Sequence, residues 1–285
     1  MPNRAVHPRA RSIFKARTKK PNFVLSVAAT TIRLSFVLAL CVALALLGAV
    51  VGIAKAFVDT APTLDLAALD AQDKTSFIYD SQGNLITDYK GTEDRIMVSI
   101  DEIPEMLQNA FIAVEDARFY EHNGVDVKRI VGALVANFTS GSTQGGSTIT
   151  QQLIKNVTGN NENTVKRKVT EVYRALALEK DYSKDEILEM YLNTIYLGNQ
   201  CYGVQTASRM YFHKDVSELD LAEAACLISI TNNPSQYDPL RSDWTREQNR
   251  NRQLDVLDAM LAQGKIDQAA YDAAKAQEVV FTNGY

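Results

Sequence analysis

The feature that most constrains this chain is a continuous apolar segment near the N-terminus. Residues 34–54 contain no charged side chain. In a helix, at about 1.5 Å per residue, that length spans the roughly 30 Å hydrocarbon layer of a bilayer. A cleaved signal peptide is the alternative, since residues 54–56 read Ala-Lys-Ala, but the apolar part of a signal peptide is usually only about 7–15 residues long. The segment therefore predicts an uncleaved transmembrane helix.

Charge is distributed unevenly on the two sides of this segment. Residues 1–33 hold eight Lys or Arg and no Asp or Glu, whereas the rest of the chain holds 22 basic residues and all 34 acidic ones. A basic arm of this kind can bind nucleic acid. Beside an anchor, however, the positive-inside rule places the arm in the cytoplasm and the acidic body outside. We therefore expect a single-pass membrane protein with no nucleic-acid partner.

The body of the chain divides into a predicted stalk, residues 55–74, and one predicted domain, residues 75–285, that is mainly α-helical. The domain opens with a predicted β-hairpin, because two β-favouring segments flank turn-forming residues at 80–84. Loops are predicted at 139–147 and 233–239. Helices are predicted where apolar residues recur at intervals of three and four, from 101 towards 122 and over 125–138, 164–180, 183–197, 219–230, 249–261 and 267–275.

Cysteine and histidine usage narrows the chemistry. The three cysteines are too few and too scattered for a disulfide framework or a thiolate metal site. Cys201 and Cys226 could form one disulfide, although their spacing favours two thiols. The chain has three histidines and no HExxH segment, so a dedicated zinc site is not expected.

A carboxylate pair, Glu115 and Asp116, directly follows the apolar residues 110–114. If the helix continues, Glu115, Phe119 and His122 lie on one face of it. Glutamates at helix ends are usually solvated surface residues. Apolar surroundings instead suit a carboxylate to general acid or base catalysis. From these residues alone, both interpretations stay open.

A glycine-rich segment and a basic cluster follow this pair. Residues 145–152 read GGSTITQQ, which is not a phosphate-binding Walker motif because no lysine follows the second glycine. Backbone N–H groups and hydroxyls beside a helix start can still cradle an anion, although a flexible surface loop also fits. Arg167 and Glu171 are spaced as a surface ion pair worth about 0.3–0.5 kcal/mol. Lys155, Arg167 and Lys168 could equally bind a diphosphate.

Taken in order, these motifs resemble the peptidoglycan glycosyltransferase domain of glycosyltransferase family 51, which occurs in class A penicillin-binding proteins and monofunctional transglycosylases. The resemblance covers about residues 75–275 plus the anchor. Gln200, Cys201 and His213 depart from the family pattern, which more often has small residues or glycine there. The matching segments are EDARFYEHNG at 115–124, GGSTITQQ with Lys155 and Asn156, RKVTE at 167–171, KDEILEMYLN at 184–193 and residues 252–260.

The resemblance implies a lysozyme-like, mainly α fold with a small membrane-apposed jaw lobe, in a bacterial plasma membrane. It implies that the substrate is lipid II, an undecaprenyl-diphosphate disaccharide-peptide, and that the donor is the growing glycan strand. Glu115 would act as general base, and Glu171 would assist departure of the lipid diphosphate or organise the donor site. The other implied substrate-binding residues are Asp116, Phe119, His122, Ser147, Thr148, Gln152, Lys155, Asn156, Arg167 and Lys168. The first three resemble residues that position other groups more than residues that take part in the reaction.

The same resemblance implies that no cofactor is required, with room for a divalent cation near the diphosphate. The bilayer and cell-wall assembly proteins are further expected partners.

Two alternative functions stay open. One is a glycan-cleaving enzyme of lysozyme type, which also uses two carboxylates, and the other is an inactive membrane scaffold of cell-wall assembly. No penicillin-binding transpeptidase motif is visible, because the only Ser-x-x-Lys lies at 12–15. A monofunctional enzyme and a truncated bifunctional one are both compatible with the sequence.

Overall fold

The computed structural model describes residues 23–61, 75–89, 93–140, 145–159 and 162–282. The chain forms two compact units, Met1–Ala56 and Phe57–Tyr285. Helix α1, Phe23–Asp59, contains the predicted anchor; its apolar window has a mean hydropathy of 2.9 and none of it is buried. The helix is thus long and apolar enough to cross a membrane. Most of the predicted basic arm and stalk, residues 1–22 and 62–74, lies outside the described residues.

Two small β-sheets open the second unit. Strands β1, Ser76–Tyr79, and β2, Leu85–Tyr89, pair antiparallel, which confirms the predicted hairpin. Asp80 closes the turn because its carboxylate accepts hydrogen bonds from the backbone N–H groups of Gln82 and Asn84, both at 2.8 Å. Strand β3, Asp94–Arg95, pairs parallel with β4, Cys201–Tyr202, and so ties the start of the domain to its middle.

The remaining regular elements of the described residues are helices, as predicted for a mainly α domain. Three of them are single turns of 3-10 helix, at 100–102, 119–121 and 216–218. The helices are α2 Glu105–Glu115, α3 Val127–Ser140, α4 Ile149–Thr158, α5 Val165–Asp181, α6 Lys184–Thr194, α7 Val204–Phe212, α8 Leu221–Thr231, α9 Pro234–Tyr237, α10 Asp243–Ala262 and α11 Gln268–Ala276.

Helix α8 lies at the centre of the core. Every residue from 222 to 230 is buried, because this stretch is almost entirely apolar and packs against α2 and α10. The predicted buried helix at 219–230 is confirmed. The predicted capping box at the start of α6 is also present, since Ser183 accepts a hydrogen bond from the backbone of Glu186 and donates its own N–H to that carboxylate. Local sequence signals were therefore sufficient to predict both α6 and α8.

Several predictions differ from the structure. Helix α2 ends at Glu115 rather than continuing to His122, because Asp116 leaves helical geometry (φ −158°, ψ 71°). Helix α7 was not predicted, and the short helix α9 lies within the predicted loop at 233–239. Helix α3 runs into the predicted loop at 139–147, and residues 141–144 of that loop lie outside the described part of the chain.

Two further expectations concern the cysteines and the jaw lobe. Cys201 and Cys226 are buried thiols and form no disulfide, as their spacing suggested. Helix α3 exposes Val127 and Val131 while burying Ala133. The membrane-apposed jaw lobe stays a prediction.

Candidate active site

One cleft of about 330 Å³ collects most of the predicted site residues. Its walls come from the C-terminal end of α2, the start of α3, the glycine-rich segment, α4, α5 and the C-terminal end of α8. The predicted residues that line it are Glu115, Ser147, Gln152, Lys155, Asn156, Arg167, Lys168 and Glu171. These residues lie up to 56 positions apart in the sequence, so the fold itself assembles the cleft.

Glu115 is the last residue of α2 and is half-buried. Its Oε2 accepts a hydrogen bond from Gln152 Nε2 at 2.7 Å. Its Oε1 lies 3.1 Å from Thr231 Oγ1, whose single proton is shared with the Ile228 carbonyl at 2.8 Å. The Gln152 carbonyl in turn accepts a hydrogen bond from the Tyr191 hydroxyl at 3.3 Å. Burial, and then the charges of Glu115 and Asp116, raise the pKa of Tyr191 well above its usual value, so this hydroxyl keeps its proton. Among the described residues, only neutral donors therefore hydrogen-bond to the Glu115 carboxylate.

Glu171 has the opposite surroundings. Only 5% of the residue is exposed, and both of its carboxylate oxygens form ion pairs with cationic side chains of the same helix. Arg167 Nη1 donates to Oε2, and Lys168 Nζ donates to Oε1 at 2.6 Å. Lys168 Nζ also donates to Ser147 Oγ at 2.8 Å, which links α5 to the glycine-rich segment. The Arg167–Glu171 spacing thus marks a partly exposed pair of cations around a buried carboxylate, rather than an isolated surface ion pair.

The cleft carries more positive than negative charge. Four cationic side chains, Arg129, Lys155, Arg167 and Lys168, line it together with two carboxylates. Lys155 is exposed and forms no ion pair with another described residue. A cleft with this balance suits an anionic ligand. Among the described residues, no group of three His, Cys, Asp or Glu side chains is placed to hold a metal ion.

The other predicted site residues lie behind the cleft wall. Asp116 is fully buried, and its Oδ2 accepts a hydrogen bond from the N–H of Ile149, the first residue of α4, at 3.0 Å. His122 Nε2 lies 3.0 Å from both Asp116 oxygens. Phe119 is buried beneath Lys184, whose Nζ lies 4.4 Å from the ring centroid. The structure therefore places these three residues as supports of the cleft and not as groups that a ligand in it would contact.

Thr148 is also buried, as the N-cap of α4. Its hydroxyl donates to the Gly124 carbonyl at 2.7 Å and accepts from the Gln151 N–H. Gly124 has φ +84°, and a Cβ there would lie 2.7 Å from the Ala175 carbonyl oxygen on α5. Only glycine permits this approach. Thr148 and Gly124 thus fix the distance between the segment that carries Glu115 and the helix that carries Glu171.

The structure adds three lining residues that the sequence did not suggest, Arg129, Thr231 and Asn232, and two that lie within the predicted anion-binding segment, Gly145 and Gln151. Arg129 Nη1 donates to the Glu115 carbonyl oxygen, and its Nε donates to the Gly145 carbonyl at 3.2 Å. Nothing in the sequence distinguished Arg129 from its neighbour Lys128, since both lie near the start of the helix predicted over 125–138. Thr231 had no signal either, because it ends a buried helix 116 positions after Glu115.

Comparison with known proteins identifies the family. A family model described as Transglycosylase matches residues 82–261, which include every residue that lines the cleft. The chain belongs to the transglycosylase family. The match spans α2 through most of α10 and stops before α11.

Relatives of this transglycosylase are much longer proteins. Penicillin-binding protein 1A/1B of Bacillus subtilis (strain 168) is 47% identical over 220 residues, which make up 76% of this chain and 24% of that protein. Penicillin-binding protein 1A of Clostridium perfringens (strain 13 / Type A) is 44% identical over 233 residues, 79% of this chain and 34% of that one. The chain therefore spans about a quarter to a third of the length of these relatives.

A solved structure is also similar. The crystal structure of penicillin-binding protein 1A from Haemophilus influenzae matches 75% of this chain and 21% of that one, with 27% identity and a TM-score of 0.43.

Proposed function

We propose that this transglycosylase is a membrane-anchored peptidoglycan glycosyltransferase of the bacterial plasma membrane. It polymerises lipid II into β-1,4-linked glycan strands and releases undecaprenyl diphosphate. The observation that supports this most is the cleft itself, where a half-buried carboxylate held by neutral donors faces a cluster of cations. A sugar hydroxyl and a diphosphate leaving group require these two kinds of group.

In this proposal Glu115 is the general base. Its carboxylate takes the proton from the 4-hydroxyl of the acceptor sugar while that oxygen forms a bond to the anomeric carbon of the donor. The bond between the anomeric carbon and the lipid diphosphate breaks in the same displacement, and its electron pair leaves with the diphosphate. One displacement inverts the configuration from α to β. Gln152 and Thr231 each bind one oxygen of Glu115 and thereby fix its orientation.

The cations stabilise the leaving group in this proposal. Lys155, Arg167 and Lys168 neutralise the charge that grows on the diphosphate, and Ser147, Gln152 and Asn156 line the remaining wall. Both oxygens of Glu171 are already engaged by Arg167 and Lys168. Glu171 therefore organises the donor site instead of assisting the departure directly. In this proposal the enzyme needs no cofactor, and a divalent cation, if one is used, would bind to the diphosphate of the substrate.

The membrane assignment rests on α1 and on charge. In this proposal the apolar helix anchors the chain, and the basic residues before it support an orientation with the N-terminus in the cytoplasm and the catalytic domain outside. An anchored enzyme meets a substrate whose lipid tail stays in the bilayer. The growing glycan strand, the bilayer and cell-wall assembly proteins are the proposed partners.

A lysozyme-type hydrolase is less well supported. Such an enzyme needs a second carboxylate that either activates a water molecule or attacks the sugar. Glu171 is occupied by two cations. Incubation of the purified chain with lipid II tests the proposal. Glycan polymer and undecaprenyl diphosphate are the expected products, whereas shortening of preformed glycan would show a hydrolase. An inactive scaffold would yield neither.

A further inference from the structure

A continuous series of contacts joins Glu115 to a segment far from it in the sequence, which follows α11. This segment, residues 277–282, is here termed the strap. Val279 and Phe281 pack against the core, whereas Val280 between them is 75% exposed. Such alternation is that of an extended chain with one face on the domain. The strap therefore lies along the domain surface and contributes every second side chain to its packing.

The strap is attached to α7 at its far end. The backbone N–H of Thr282 donates to the Tyr211 carbonyl oxygen at 2.9 Å. The Phe281 ring stacks on that of Phe212, with a centroid distance of 6.0 Å and an interplanar angle of 30°. The guanidinium carbon of Arg246 lies 5.7 Å from the Phe281 ring centroid. Tyr211 and Phe212 are the last two residues of α7, so the strap is attached to the end of that helix.

The side chain of Tyr211 contacts the loop at 196–200. It is fully buried, and its hydroxyl donates to the Leu197 carbonyl oxygen at 2.8 Å. The same hydroxyl accepts a hydrogen bond from Asn199 Nδ2 at 3.2 Å. Burial raises the pKa of Tyr211 well above its usual range, so the hydroxyl keeps the proton that it donates. Tyr211 thus binds the strap through its backbone carbonyl and the loop through its hydroxyl.

The loop in turn contacts the C-terminal end of α8. Gly198 has φ +83°, a conformation that glycine adopts without strain. A Cβ there would lie 2.8 Å from the Tyr211 hydroxyl oxygen and 3.7 Å from Ile230 Cγ2. The backbone of the loop is therefore packed tightly between Tyr211 and α8.

We infer that Tyr211 is a positioning residue for the base, and that the strap acts on Glu115 through it. Thr231 directly follows Ile230, and its hydroxyl oxygen lies 3.1 Å from Glu115 Oε1. Packed interiors contain few voids and therefore transmit displacements. Displacement of the strap from α7 would shift the loop and the end of α8, and so lower the catalytic rate without any contact in the cleft. This inference rests on the proposed function, since it takes Glu115 as the general base.

The first test determines whether Tyr211 acts through Thr231. Tyr211→Phe removes the hydroxyl and keeps the ring, and we expect kcat for lipid II polymerisation to fall about threefold with KM unchanged. Thr231→Val in the same assay should lower kcat about fivefold. If both act on the same contact, the double variant should also lose only about fivefold. Independent effects would multiply to about fifteenfold, and that result would overturn the inference.

Tyr271→Phe is the matched control for Tyr211→Phe. Tyr271 is 8% exposed, and its hydroxyl donates to Asp258 Oδ1 at 2.6 Å, outside the series of contacts. The substitution removes a hydrogen-bonded tyrosine hydroxyl of the same kind and should leave kcat at the wild-type value. An equal loss of kcat in the two variants would reduce the effect of Tyr211 to general destabilisation.

The second test concerns the strap. Phe281→Ala removes the ring that stacks on Phe212, and we expect kcat to fall about threefold. The same substitution should cause no further loss when Thr231 is already Val. Val280→Ala changes the exposed neighbour on the same strap and should keep the wild-type kcat. A wild-type kcat in Phe281→Ala would show that the strap does not act on Glu115.

Amide hydrogen exchange separates this inference from the proposed function, because it needs no substrate. With the full chain in detergent micelles, exchange in residues 228–234 should be faster in Tyr211→Phe and Phe281→Ala than in the wild type. Tyr271→Phe and Val280→Ala should leave it unchanged. Unchanged exchange in all four variants would overturn the inference. If the wild type does not polymerise lipid II but exchange responds as expected, the proposed function fails and the link between the strap and α8 stands.

Discussion

The two carboxylates of the cleft that we propose to be catalytic have opposite surroundings. Glu115 ends a helix, is half-buried and accepts hydrogen bonds from the neutral side chains of Gln152 and Thr231. Glu171 lies within α5, is nearly fully buried and meets Arg167 and Lys168. Environment assigns different roles to identical side chains. On this contrast rests our proposal that Glu115 is the base, whereas Glu171 is the centre of a cationic cluster.

The largest expected effect comes from removing the base. Glu115→Gln keeps the shape and the hydrogen-bonding capacity of the side chain but cannot take a proton at the same site. We expect the rate of lipid II polymerisation to fall about a thousandfold, or about 4 kcal/mol in activation free energy. Glu121→Gln, an exposed residue on the nearby 3-10 turn, is the control and should keep the wild-type rate. A loss of less than tenfold in a folded Glu115→Gln protein would exclude the role of base.

The second effect concerns the spacing between the two carboxylates. Gly124→Ala forces a Cβ to within 2.7 Å of the Ala175 carbonyl on α5, at φ +84°. We expect the free energy of unfolding to fall by about 3 kcal/mol. Gly83→Ala is the matched control, because Gly83 has φ +86° but nothing within 4 Å of a Cβ. The control should lose only about 1–2 kcal/mol, and equal losses by thermal or denaturant unfolding would contradict the close packing.

The third effect tests the role of Glu171. In Glu171→Gln, Arg167 and Lys168 lose the charge that holds them, so the donor site loses order. We expect KM for lipid II to rise and kcat/KM to fall about thirtyfold, or about 2 kcal/mol. Glu179→Gln is the control on the same helix, because Glu179 also pairs with a lysine, Lys184, but outside the cleft. A loss confined to kcat would give Glu171 a role in the chemical step.

The smallest effect sharpens the description of Glu115. Thr231→Val removes the hydroxyl that donates to Oε1 and keeps the volume of the side chain. We expect kcat to fall about fivefold, or about 1 kcal/mol, and Thr231→Ser to restore it. Thr158→Val removes a hydroxyl of similar helix-terminal geometry, which donates to the Ile154 carbonyl at 2.8 Å. That control should keep the wild-type kcat, and the same loss in both variants would point to a general effect of helix ends.

Local features of the fold were predictable from the sequence. The hairpin followed from turn residues at 80–84, and α6 followed from the Ser183 capping box. The burial of α8 followed from its composition. For the hairpin and α6 the signal lies within a few residues of the structure that it specifies, whereas for α8 a nearly continuous apolar composition requires burial against other helices.

Non-local contacts explain what could not be predicted. Helix α2 ends at Glu115 because Asp116 binds the N–H of Ile149, 33 residues further on. The hydrogen bond from Thr231 to Glu115 crosses 116 residues. The motifs indicated the two carboxylates and three of the four cations, while Arg129 and Thr231 became visible only when the helices were placed together.

Chemical rescue tests the central assignment most directly. Glu115→Ala and Glu171→Ala each remove a carboxylate, and formate can replace a missing base that acts on a hydroxyl proton. The measurement is the rate of polymer formation from lipid II by each variant, with and without formate. The account predicts that formate restores polymerisation to Glu115→Ala and leaves Glu171→Ala unchanged. Rescue of Glu171→Ala alone, or a wild-type rate in Glu115→Ala without formate, would contradict it.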